Sequence, residues 1–149
     1  MTDLKQLYQE VILDHNRNPR NFGELHHHTH QAEGYNPLCG DHYKIYLQVE
    51  DGKIADVSFE GSGCAISKSS ASLMTSCLKG TPVEEAEHMF DNFHRMLTEN
   101  KDPAELTGNA CKFVALQGVK EFPTRIKCAT LIWHTMKSAL HGESQTTTE

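Results

Sequence analysis

Apolar residues recur with two different periods along the chain, and the change of period predicts where helices and strands lie. The first stripe has the i, i+3, i+4 spacing of an amphipathic helix and stops before Asn18-Pro19, which predicts one opening helix. Its apolar positions are Leu4, Leu7, Tyr8, Val11 and Ile12. Residues 21–41 show no period and are rich in His, Asn and Gly, so we expect an irregular segment with a short strand within residues 31–37.

A β-hairpin follows this irregular segment. Apolar and polar residues alternate over residues 43–49 and again over residues 55–59, as in strands with one buried face. Asp51-Gly52 between them supplies the positive φ angles of a tight turn. A hairpin alone is marginally stable in water, so a third strand and packed helices are needed.

The second half of the chain has helical periodicity. One helix is predicted from about residue 66 to residue 79, before Gly80. Thr81-Pro82 predicts the start of the next helix, with Thr81 as N-cap and proline at the first helical position, and Asp102-Pro103 repeats that signal for a short helix. Phe122-Pro123 leads into a long final helix. Its inward positions are Ile126, Ala129, Thr130, Trp133, Met136 and Leu140.

Strands that precede helices favour an α+β fold, with a small antiparallel three-stranded sheet and helices packed on one face. The 149 residues suit one domain, which we place at residues 1–141, followed by a disordered polar tail at residues 142–149.

Charge and hydropathy exclude several functions. The net charge of −6 leaves no surplus of cations for phosphates, so we expect no nucleic-acid partner. The longest apolar runs have about four residues, against ~20 for a bilayer span, so we expect no membrane segment. The N-terminus lacks the pattern of a signal peptide, which predicts a cytoplasmic protein with reduced cysteines.

Three of the five cysteines lie at predicted element ends, where reactive or ligating thiols are commonly found. Cys39 precedes the first clear strand, with Asp41 two residues further on. Cys64 follows a glycine-rich stretch at a helix N-terminus, whose dipole favours a thiolate. Cys128 lies on the first turns of the last helix, directly after the cationic residues Arg125 and Lys127. Three sulfurs and one carboxylate would make a four-ligand zinc site.

The spacing of these residues leaves two readings open. No CxxC pair is present, and separations of 25 and 64 residues are no local zinc signature, so the pattern alone favours thiols without a metal, with a three-cysteine metal site as the alternative. Cys77 lies on a helical stripe and is expected to be a core thiol. The histidines of segment 26–30 are expected to form a solvated loop whose role the pattern does not define.

Five segments together resemble the iron–sulfur scaffold family, the IscU-like proteins and the NifU N-terminal domain. The resemblance runs from about Leu4 to Leu140. The segments are Asp14-His15 through Asn21, Asn36-Pro37-Leu38-Cys39-Gly40-Asp41, Gly61-Ser62-Gly63-Cys64-Ala65-Ile66-Ser67, Ala71-Ser72-Leu73-Met74-Thr75, and Phe122-Pro123-Thr124-Arg125-Ile126-Lys127-Cys128-Ala129.

Two departures from the scaffold members are similar to the SufU branch of that family. Lys127 stands where scaffold members have a histidine before the last cysteine, and 64 positions separate Cys64 from Cys128, with residues 81–106 as the extra segment. The missing histidine removes an alternative cluster ligand.

The SufU resemblance implies a zinc-bound sulfurtransferase that activates a pyridoxal-phosphate cysteine desulfurase of the SufS type. It would accept persulfide sulfur from that enzyme and pass it to a downstream cluster scaffold. The implied zinc ligands are Cys39, Asp41, Cys64 and Cys128, with Cys39 as the catalytic sulfur acceptor. The alternative is a non-enzymatic scaffold on which an iron–sulfur cluster is assembled and then transferred.

Overall fold

The computed structural model describes residues 2–37, 40–99, 116, 118, 119, 122–143 and 145–147. The described elements, in chain order, are α1 (Thr2–Arg17), β1 (His30–Asn36), β2 (Asp41–Glu50), β3 (Lys53–Ser62), α2 (Ala65–Leu78), α3 (Val83–Thr98), α4 (Pro123–Leu140) and β4 (Gln145–Thr147). This arrangement confirms the predicted α+β class. The short helix predicted at Asp102-Pro103 lies outside the described residues.

The sheet has four strands in the order β3-β2-β1-β4. The antiparallel pairs β1–β2 and β2–β3 match the three-stranded prediction, and the turn at Asp51 and Gly52 has the expected positive φ angles of 52° and 76°. The fourth strand was not expected. Gln145–Thr147 pair in parallel with β1, so this part of the predicted disordered tail is ordered. The outer edge of β1 offers unpaired backbone groups, which a short polar segment can bond without an apolar face of its own.

Helices α2 and α4 pack against the sheet, on the face that carries the buried side chains of β2 and β3, while α1 packs on α2 and α3 on α4. The buried apolar side chains of these two strands that belong to the core cluster are Tyr43, Ile45, Leu47, Ile54, Val57 and Phe59. No helix within the described ranges is long and apolar enough to cross a membrane.

A buried tryptophan holds the helices together. Trp133 on α4 stacks on Phe93 of α3 with ring centroids 4.5 Å apart, and its Nε1 donates to Ser70 Oγ on α2 at 3.1 Å. The Ser70 hydroxyl donates in turn to the Ala129 carbonyl at 2.6 Å. Tryptophan therefore fixes the position of α4 relative to the helix that begins beside Cys64.

Close approach of α4 to β1 requires a glycine at position 34. A Cβ on Gly34 would lie 2.0 Å from Thr135 Oγ1 and 3.1 Å from Leu131 Cδ1, closer than real side-chain contacts. The absence of that Cβ lets α4 lie directly on the end of β1 that leads to Asn36. This contact brings α4 close to the β1–β2 hairpin.

Two local predictions differ from the structure. Thr81 is not the N-cap of α3, because Pro82 caps this helix and the helix begins at Val83. The Thr81 hydroxyl donates instead to the Leu78 carbonyl, and the Thr81 carbonyl accepts from the Ile54 N–H on β3. Backbone pairing with β3 therefore sets where this helix begins. Cys77, expected as a reduced core thiol, is only partly buried and is disulfide-bonded.

Candidate metal centre

Three of the four predicted ligands meet at one point. Asp41, Cys64 and Cys128 each offer one ligand atom, and these atoms all lie within 4.8 Å of one another. They come from three elements, because Asp41 begins β2, Cys64 is the N-cap of α2, and Cys128 lies on the second turn of α4. Cys39, the fourth predicted ligand, lies outside the described residues.

Asp41 is a buried carboxylate with hydrogen-bond donors on both oxygens. Asp41 is only 2% exposed to solvent. Oδ1 accepts from the Cys64 backbone N–H at 3.0 Å, and Oδ2 accepts from Asn36 Nδ2 at 3.4 Å. In the part of the chain that the structure describes, the ion pairs all lie elsewhere and no Lys, Arg or His contacts this carboxylate. Buried carboxylates of this kind are commonly balanced by a metal ion.

Cys64 occupies the N-terminus of helix α2. Its sulfur accepts from the Ser67 backbone N–H at 3.4 Å, as an N-cap side chain does. The N-terminal end of the helix dipole favours negative charge at this position. The side chain is half-buried, so a metal ion or a partner thiol can reach it.

Gly63 has no side chain, which leaves room for the polar atoms of Asp41, Ser67 and Tyr43 around it. A Cβ at position 63 would lie 2.5 Å from Asp41 Oδ1, 2.5 Å from Ser67 Oγ and 2.7 Å from the Tyr43 hydroxyl. Any larger residue would displace at least one of these three polar atoms, so the ligand geometry depends on the missing side chain.

Cys128 is fully buried on α4. Its sulfur lies 3.6 Å from Asn36 Nδ2 and 3.6 Å from the Thr124 carbonyl oxygen, one turn earlier on α4. Asn36 therefore contacts both Cys128 and Asp41.

A second layer of polar side chains lies behind the ligands. The Tyr43 hydroxyl is hydrogen-bonded to Ser67 Oγ at 3.0 Å, and the Ser67 hydroxyl reaches the Cys64 carbonyl at 3.0 Å. Burial raises the pKa of Tyr43, so this phenol stays neutral. Neither these two side chains nor Asn36 was predicted from the sequence to be part of the site. Asn36 pairs directly with Asp41 across the antiparallel strands β1 and β2. Aligning these two strands in the sequence would have placed Asn36 beside the predicted ligand.

The chemistry of this donor set fits zinc. Zinc binds thiolate sulfur at about 2.3 Å and carboxylate oxygen at about 2.0–2.2 Å, which places tetrahedral ligand atoms roughly 3.5–3.8 Å apart. The three ligand atoms lie within 4.8 Å of one another, so small side-chain rotations bring them to that separation. Two sulfurs and one oxygen leave a fourth tetrahedral position for another ligand.

The other predicted features lie apart from this cluster or on its rim. His26 and His27 are exposed, and His28 Nδ1 is hydrogen-bonded to the Leu25 carbonyl at 2.7 Å. Among the described residues, the histidines of segment 26–30 form no group of three metal ligands. Arg125 and Lys127, which flank Cys128 in sequence, are exposed and half-buried respectively.

Comparison with known proteins finds relatives that cover most of this chain. The profile of the NifU-like N terminal domain matches residues 7–129. The chain is 40% identical over 143 residues to the zinc-dependent sulfurtransferase SufU of Bacillus subtilis, covering 95% of this chain and 94% of that protein. It is 39% identical over 137 residues to the iron–sulfur cluster assembly scaffold protein IscU of Thermotoga maritima, covering 91% and 94%.

A crystal structure from Fervidobacterium islandicum, titled as an iron–sulfur cluster assembly scaffold protein for the SUF system, superposes with a TM-score of 0.82 at 32% identity. The match covers 91% of this chain and 97% of that chain. An α+β fold with a thiol and carboxylate cluster at the end of its sheet defines the class. The chain belongs to the NifU-like N-terminal domain family, and the resemblance to SufU is confirmed.

Proposed function

We propose that this protein acts in iron–sulfur cluster assembly as a zinc-dependent sulfurtransferase that accepts persulfide sulfur from a pyridoxal-phosphate cysteine desulfurase. The observation that carries the proposal is the convergence of Asp41, Cys64 and Cys128, whose ligand atoms lie within 4.8 Å of one another. The Bacillus subtilis relative, described as a zinc-dependent sulfurtransferase, supports the same reading. The downstream partner is a cluster scaffold.

The proposed zinc ligands are Asp41, Cys64, Cys128 and Cys39. Covalent geometry limits the Cα atom of Cys39 to about 7.6 Å from that of Asp41, because only two peptide units separate them. Asp41 is itself held at the cluster by the Cys64 N–H. Zinc, when bound, keeps the ligand thiols deprotonated and protects them from oxidation.

Cys39 is the proposed sulfur acceptor because the other two thiols are fixed on helices. Cys64 caps α2 and Cys128 is buried in α4, whereas Cys39 lies between Pro37 and Gly40 in the connection from β1 to β2. Asp41, Cys64 and Cys128 would hold the zinc ion, and Cys39 would be the thiolate that faces the donor persulfide.

The transfer is balanced without an oxidant. The Cys39 thiolate attacks the outer sulfur of the desulfurase persulfide and forms a new S–S bond. The S–S bond within the donor breaks, and the desulfurase cysteine leaves as a thiolate. Arg125 and Lys127 supply positive charge on the α4 turns beside Cys128, which favours the approach of an anionic persulfide.

Mass spectrometry after incubation with desulfurase and cysteine tests this proposal. We expect the mass of one added sulfur atom on Cys39 and an increased desulfurase turnover when this protein is present. Cys39→Ser should fold and accept no sulfur. Cys77→Ser in previously reduced protein is the matched control, because position 77 lies thirteen steps, about 20 Å, along α2 from Cys64. Sulfur found on Cys64, Cys128 or Cys77, or persisting in Cys39→Ser, would contradict the choice of acceptor.

A scaffold function is the second candidate, and the IscU relative of Thermotoga maritima supports it. Lys127 argues against it, since lysine is a poor substitute for a histidine ligand at a cluster. The two functions differ in colour and metal content. A zinc protein is colourless, whereas a [2Fe–2S] cluster absorbs visible light. Purification of a brown protein with stoichiometric iron would favour the scaffold.

A further inference from the structure

Asn36 is the buried polar residue whose role the proposed function leaves unexplained. It ends β1 directly opposite Asp41 in the antiparallel register and is 0% exposed. Its Nδ2 lies 3.4 Å from Asp41 Oδ2 and 3.6 Å from Cys128 Sγ. The oxygen contact is long for a hydrogen bond, and the sulfur contact is ordinary for the larger sulfur atom.

The orientation of this amide follows from its neighbour. If the side chain were rotated by half a turn, Oδ1 would face the carboxylate oxygen of Asp41, and two acceptors would repel each other. The nitrogen therefore faces the two ligands. Its two hydrogens allow one bond to each of them, so a single amide group connects Asp41 with Cys128.

The oxygen atom of the Asn36 amide makes no hydrogen bond among the described residues. Asn36 Oδ1 is one of two buried side-chain polar atoms without a hydrogen-bond partner among the described residues, the second being Ser58 Oγ. An unpaired buried acceptor destabilises the folded state, because the hydrogen bond that it made with water is lost. A residue that served folding alone would be replaced by an apolar one at a gain, which indicates that the Nδ2 donor is the useful part of Asn36.

We propose that Asn36 is a positioning residue that holds Asp41 and Cys128 in ligating geometry through its Nδ2 donor. An N–H···S hydrogen bond also draws electron density from the Cys128 sulfur, which makes it a weaker nucleophile and keeps it as a ligand while Cys39 reacts. Hydrogen bonds of this kind to metal ligands orient them and raise metal affinity. The inference rests on the metal site of the proposed function and not on its sulfur transfer.

Two variants of different size test the role of the donor. Asn36→Leu fills the space and Asn36→Ala leaves it open, and both lack the amide. We expect zinc affinity, measured by competition with a chromophoric chelator, to fall about 10–100-fold in both. In the cobalt(II)-substituted protein, the sulfur-to-cobalt charge-transfer band should move to longer wavelength, because a thiolate without its hydrogen bond is the better electron donor.

Ser58→Ala is the matched control, because it removes the other unpaired buried polar atom on a strand without touching a ligand. Its zinc affinity and its cobalt spectrum should equal those of the parent. Parent-like zinc affinity and an unmoved band in either Asn36 variant that folds would overturn the inference and leave the proposed function intact. Failure of the parent itself to bind zinc would overturn both.

Discussion

Replacing Gly63 with alanine should disturb the ligand cluster without breaking the fold. No positive φ angle is involved at this position, so alanine is compatible with the backbone and the effect is steric. The new methyl group would lie 2.5 Å from Asp41 Oδ1, 2.5 Å from Ser67 Oγ and 2.7 Å from the Tyr43 hydroxyl. At least one of these buried atoms has to move.

The size of the effect follows from these contacts. Overpacking of this kind costs about 1–3 kcal/mol. That corresponds to a fall in melting temperature of roughly 2–12 °C for a chain of this size. If Asp41 moves, the 3.0 Å hydrogen bond from Cys64 N–H weakens as well, and the carboxylate leaves its ligating position. Zinc affinity should then fall about 10–100-fold, or roughly 1.4–2.7 kcal/mol.

Thermal unfolding of the metal-free protein and chelator competition measure the two effects separately. Gly118→Ala is the control, because a Cβ at position 118 meets nothing within 4 Å and the residue has no positive φ. It should match the parent in both assays. A Gly63→Ala protein with the parent's melting temperature and zinc affinity would refute the steric reasoning.

Three further results are expected. Zinc joins parts of the chain that are distant in sequence, so verified metal removal should lower the melting temperature. Relative to protein at a free zinc concentration 100 times the Kd, the loss of unfolding free energy is about 2.7 kcal/mol. An unchanged melting temperature would exclude a stabilising ion. Asp41→Ala should fold yet bind zinc more weakly and activate the desulfurase less, and full activity with normal zinc content would remove Asp41 from the mechanism. His134 packs near Phe90 and His94, and burial lowers its pKa below the usual 6.5. Near and below pH 6.5 the unfolded chain therefore binds more protons than the folded chain, so the free energy of unfolding falls as the pH drops through this range. His134→Gln should flatten this pH dependence of melting in the metal-free protein, whereas exposed His27→Gln should not, and equal slopes in parent and His134→Gln would contradict the assignment.

Local signals in the sequence were sufficient for most of the elements. The helical stripe before Asn18-Pro19, the alternation around Asp51-Gly52 and the start signal at Phe122-Pro123 each correspond to an observed element. These features are determined within a few residues by periodicity, turn conformation and proline geometry, so no tertiary information is needed to predict them. The family resemblance of the sequence implied the four zinc ligands. That Cys39 is one of them stays a prediction.

Tertiary structure decided the features that depend on two distant segments. Strand β4 forms because β1 has a free edge, and α3 begins at Val83 because the preceding segment pairs with β3. Spacing alone favoured thiols without a metal, since Asp41, Cys64 and Cys128 meet only when α4 lies against Gly34. The parts played by Asn36 and Gly63 arise from cross-strand register and from contacts shorter than a methyl group allows. Such distances are properties of packed elements, and a one-dimensional pattern does not contain them.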